Sequence, residues 1–91
     1  MKKIINIGEN LYVNMESIEA YNVMDDMLLI STHNNDFTVV YDPEVSSTRY
    51  SKEQINCLYV PVQEFHRINR EVCSFLEIDE IKVKIAALNA S

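Results

Sequence analysis

One stretch, Val62 to Leu76, constrains this chain more than any other. Stepping about 100° per residue gathers Val62, Phe65, Ile68, Val72, Cys73, Phe75 and Leu76 on one broad arc, with Gln63, Arg67, Arg70, Glu71 and Ser74 opposite. That stripe predicts an amphipathic helix with one face on a core. Pro61 suits its start, where a backbone N–H would be unpaired in any case. Asn69 falls among the apolar positions; buried there, it needs a hydrogen-bond partner and is a candidate for fixing register or an assembly contact.

The residues before the helix read as β-structure. Lys3 to Ile7 and Leu11 to Met15 are apolar or alternating runs that predict a hairpin over Gly8-Glu9-Asn10. From Ser17 to Met24 the alternation sets Ile18, Ala20 and Met24 against Glu19, Tyr21 and Val23. Met27 to Thr32 and Phe37 to Tyr41 complete a bent antiparallel meander of five strands. With a single glycine, the turns must be built from Asn and Asp, which tolerate left-handed backbone. Met27-Leu28-Leu29-Ile30 and Val39-Val40-Tyr41 are apolar on both faces, which predicts cover on both: the helix on one, another subunit on the other. Ser51-Lys52-Glu53-Gln54 has the spacing of a capping box, whereas Cys57 to Val60 suits a strand, so residues 51–60 remain open between helix and strand. After the helix, Ile81, Val83 and Ile85 alternate with Lys82, Lys84 and Ala86, the pattern of an edge strand guarded by lysines. The expected fold is α+β, one domain over residues 1–91.

A chain of 91 residues supports one core that buries roughly 60 to 65% of its unfolded surface. Apolar residues at 47% are too many for intrinsic disorder. Met1-Lys2-Lys3 is followed by only Ile4 and Ile5 before Asn6, too short for a signal peptide or membrane span. The expectation is a cytoplasmic protein with no membrane partner. Its two cysteines, Cys57 and Cys73, would there stay reduced as small core hydrophobes. Fourteen acidic against eight basic side chains give a net charge of −6, which opposes direct binding to DNA phosphates and favours basic partners.

Catalytic signatures are absent: no phosphate-cradling glycine loop, nucleophile elbow or His-Glu-x-x-His occurs. His33, His66, Cys57 and Cys73 have no paired metal-ligand spacing, and no third group orients either cysteine with His66 as a nucleophile. No enzyme, metal or cofactor is therefore expected. Two constellations carry binding chemistry instead. Ser46, Ser47, Thr48, Arg49 and Tyr50 put three hydroxyls, a guanidinium and a phenol into one loop, groups suited to a small anionic ligand or a partner's polar rim. Arg67 and Arg70, beside His66 and Gln63, form a cationic patch that could grip a phosphate or carboxylate. Glu64, Arg67 and Glu71 at i, i+3 and i, i+4 spacing equally make a solvated face laced by ion pairs.

Ile5-Asn6-Ile7-Gly8, with Val13, Ile18 and Ala20, resembles the start of the RemA-like regulators of biofilm-matrix genes over about the first twenty residues. The resemblance implies a small DNA-binding ring former with a basic binding surface. This chain has Glu9, Glu16 and Glu19 in the matching stretch, and no family site carries over.

The expectation from sequence is a non-enzymatic acidic binding protein, a homodimer or larger, that occupies a basic, nucleic-acid-binding surface of another macromolecule. Small phage- or host-encoded inhibitors work in this way. A binder of a small anionic signalling nucleotide is the alternative, and a RemA-like DNA-binding regulator the third.

Overall fold

The computed structural model describes residues 2–83. Seven strands precede one helix: β1 Ile4–Gly8, β2 Leu11–Asn14, β3 Ile18–Val23, β4 Met27–Thr32, β5 Asp36–Tyr41, β6 Arg49–Tyr50, β7 Cys57–Val60 and α1 Val62–Leu76. The α+β class and the helix limits agree with the sequence. The pairing is richer than a single meander.

β1 and β2 form a separate two-stranded sheet, and the other five strands a mixed sheet in the order β3-β4-β5-β7-β6. A 3-10 turn, Met15–Ser17, breaks the chain between the two sheets. Asn14 holds that turn, its Oδ1 accepting from the Glu16 N–H at 3.0 Å and its backbone carbonyl from the Ser17 hydroxyl at 2.7 Å. Beyond β5, Pro43 has no N–H for a ladder bond and the chain leaves the sheet. It returns as β7, parallel to β5 in the register Thr38↔Cys57 to Tyr41↔Val60, with the two-residue β6 antiparallel on β7's other side.

Residues 51–60 resolve into a turn followed by a strand. The Ser51 hydroxyl accepts from the N–H groups of Glu53 and Gln54, at 3.2 and 3.1 Å, so the capping spacing is used but no helix follows. Of the edge strand predicted from Ile81, residues 81–83 are irregular, and the Ile81 carbonyl accepts from the Asn69 side chain at 2.7 Å. Lys84, Ile85 and Ala86 lie outside the described residues.

The core joins Ile5, Ile7, Val13 and Met15 of the hairpin region to Leu28, Ile30, Phe37, Val39, Leu58 and Val60 of the sheet and Phe65, Ile68 and Val72 of α1. Each such side chain contributes about 1.5 to 3 kcal/mol when fully buried. On β3 the inward set is Ile18, Tyr21 and Val23, not Ile18, Ala20 and Met24. A register shift between Ile18 and Ala20 inserts one residue and exchanges the faces of everything beyond it. Helix and hairpin cover one face of the five-stranded sheet, and the Cα extents are 36 × 32 × 20 Å.

Candidate functional site

The cationic patch proposed on α1 divides. Arg67 is committed to structure: its Nε and Nη2 donate to Glu64 at 3.0 and 2.9 Å, its Nη1 donates to Glu71 at 2.7 Å, and its Nη2 also donates to the Asn6 carbonyl of β1 at 2.6 Å. Glu71 in turn lies 2.9 Å from Lys2 Nζ. The i+3 and i+4 spacing thus builds a clasp between α1 and the hairpin. Burial pushes the Glu71 carboxyl up, but Lys2 and Arg67 together hold it below the usual carboxylate range. Arg70 stays exposed on the outer face.

The loop residues also separate. Ser46 and Ser47 are exposed, and Thr48 is half-buried against Gly8. Arg49 lies over the Tyr59 ring, 4.5 Å from its centroid, and 3.7 Å from Asp42. Tyr50 turns the other way and its hydroxyl donates to the Gly8 carbonyl at 3.2 Å. Arg49 and Tyr50 therefore do not converge on one ligand, since adjacent strand residues point to opposite faces. Ser46 opens into a cleft of about 260 Å³ shared with Tyr41, Asp42, Val45, Pro61 and Gln63, at the start of α1. No side chain caps the helix there.

Asn69 is fully buried and knots three elements. Its Oδ1 accepts from the Tyr21 hydroxyl at 2.8 Å and lies 3.3 Å from Cys73 Sγ, while its Nδ2 donates to Ile81 O. Burial above all, with Cys73 and Glu80 adding, pushes the Tyr21 phenol well above its ordinary value. Burial likewise raises the thiols of Cys57 and Cys73, the opposite of what a thiolate nucleophile needs. Among the described residues no three His, Cys, Asp or Glu side chains gather as a metal group, and no helix is long and apolar enough to cross a membrane.

By anchoring Ile81, Asn69 fixes the segment that leaves α1. Glu77 closes the helix in the left-handed conformation, φ 60° and ψ 40°, where glycine or asparagine is usual. Its N–H donates to Ser74 O at 3.2 Å and that of Ile78 to Cys73 O at 3.0 Å. Glu77, Asp79 and Glu80 are all exposed, and Ile78 between them is 47% exposed. The last helical turn contains no basic residue, so three carboxylates stand at the negative end of the helix dipole. Sequence reasoning passed over this run; its signal is the crowding of acids where a helix end favours cations.

The chain matches no family model, no curated protein and no solved structure. Of the residues that resemble the RemA-like start, Ile5, Ile7, Gly8 and Val13 are buried packing positions.

Proposed function

We propose that this is a non-enzymatic binding protein of the cytoplasm, which uses its acidic surface to occupy a basic, nucleic-acid-binding surface of another macromolecule. The observation that supports this reading best is the segment Glu77–Glu80. Acids beside a helix C-terminus each cost about 0.3 to 1 kcal/mol, and a left-handed non-glycine residue roughly 1 to 2 kcal/mol more. Local choices that work against stability are expected where function requires them. The exposed Ile78 supplies an apolar contact inside the charged patch, the mixture that interfaces use. Affinity capture from a lysate containing nucleases and polymerases tests the reading. It predicts one stoichiometric basic protein that is released as salt rises; no stoichiometric partner, or one indifferent to salt, contradicts it.

A second reading, binding of a small anionic ligand such as a nucleotide, draws on the uncapped start of α1 facing the Ser46 cleft. Asp42 in the cleft wall ranks it second. A nucleotide panel in a thermal-shift assay, at concentrations far above plausible dissociation constants, decides it: a binder raises the midpoint, and no shift removes the reading.

A further inference from the structure

The two edges of the five-stranded sheet are unlike. β6, at one edge, is two residues long, whereas β3, at the other, runs for six, Ile18–Val23, with neither lysine nor proline. Natural sheets blunt such an edge with lysine, proline, a bulge or a covering segment; here the bulge between Ile18 and Ala20 interrupts only its start. The Met24 N–H donates to Met27 O at 2.8 Å, which turns the backbone of Met24 toward β4. Backbone direction alternates along a paired strand, so Asn22 and Ala20, in register with Leu29 and Ser31, also face β4. The N–H and C=O groups of Tyr21 and Val23 point away from it, and among the described residues these four groups have no backbone partner.

Carboxylates gather along the same edge. The Tyr21 hydroxyl donates to Asn69, which in turn holds Ile81 O, and this network sets Glu80 close enough for its charge to act on the Tyr21 phenol. Glu77 and Asp79 precede it, with Lys82 the single cation between residues 77 and 83. Glu19 sits in the strand itself, exposed and 3.1 Å from His33 Nδ1. Asp25 and Asp26 are exposed in the turn where the strand ends.

We infer that β3 receives an extended basic segment of the partner protein, which adds to the sheet as a sixth strand. The inference rests on the proposed binding of a basic surface and names the form in which that surface is presented. Main-chain bonds to Tyr21 and Val23 hold the incoming segment, and its alternate side chains select it. Successive side chains of an added strand point to opposite faces. One set lies on the face where Tyr21 meets α1, beside Glu80, and favours lysine or arginine; the other lies beside the small Ala20 and the neutral Asn22. A second copy of β3 is the poorer occupant, because in a chain of net charge −6 it would bring the carboxylates of both copies to one seam.

Amide hydrogen exchange on the full chain, followed by NMR, tests it with a decapeptide of alternating lysine and valine as the probe. In the chain alone the Tyr21 and Val23 amides are expected to exchange fast, and the peptide should slow both at least about tenfold. Of two further peptides, N-methylated at the lysines or at the valines, one loses the donors that face β3. That one should bind at least about tenfold more weakly than the other at low salt. Slow exchange at both amides in the chain alone overturns the inference, whether the chain itself or a second copy fills the edge. Equal binding of the two methylated peptides, with both amides left fast, also overturns it but leaves the acidic-surface reading standing on charge alone. A decapeptide that does not bind at low salt overturns it too, and capture of a basic partner from lysate then decides the acidic-surface reading separately.

Discussion

At Gly8 the backbone of β1 approaches β7 and the loop before β6 so closely that an added β-carbon would run into the Leu58 δ-carbon and press on Thr48. The glycine is needed for space, since its φ is not positive; the left-handed turn position falls to Glu9, at φ 29°. Gly8→Ala is expected to destabilise the protein by about 1 to 3 kcal/mol in urea unfolding, and an unchanged midpoint would contradict this. Asn69 shows the same division between what letters reveal and what they hide. Its place among apolar positions was legible as a polar group needing partners. Those partners, Tyr21 and Ile81, are set by tertiary contacts that no helical spacing encodes. Asn69→Ala removes the partner of a half-buried phenol hydroxyl and of the Ile81 carbonyl, an expected loss of about 1 to 3 kcal/mol. Hydrogen exchange at residues 81–83 should quicken with it; unaltered exchange there would show that the amide does not hold the segment.

Among the elements, α1 was readable because a long periodic stripe outweighs any single exception, and Phe65, Ile68, Val72 and Cys73 are all buried. β3 misled because one inserted residue reverses the period-two pattern, and a bulge leaves no mark in an isolated sequence. The crossover was hidden for a different reason: β6 is two residues long, too short to show alternation, and parallel pairing joins strands separated in the chain. The clasp between α1 and β1 was half legible, Glu64–Arg67–Glu71 by spacing and the bond to Asn6 not at all. It has a pH signature. Because Glu71 is held below its ordinary value of 4.5, its contribution to stability is fully present above that pH. The contribution is lost as pH falls through the lower folded-state value. Glu71→Gln should therefore be less stable than wild type at neutral pH, with the gap closing in acid. Thermal unfolding at both ends checks this, and a gap independent of pH would remove the clasp as its source.

For the whole molecule, α+β class and one core followed from patterns of apolar residues. The candidate site followed less well, because exposure and side-chain direction decide it. Ser46 to Tyr50 looked like one cluster in sequence, yet Arg49 lies on the outer sheet face and Tyr50 reaches the hairpin. Conversely, Glu77–Glu80 was passed over in the sequence, yet it forms an exposed acidic patch just before the anchored Ile81. These carboxylates are proposed to bind a basic partner. Titrating the captured partner with wild type and with a Glu77→Gln, Asp79→Asn, Glu80→Gln variant tests it most directly. Binding at least about tenfold weaker is expected for the variant at low salt, with the difference shrinking as salt is raised; equal affinity of the two proteins at low salt would remove these carboxylates from the interface.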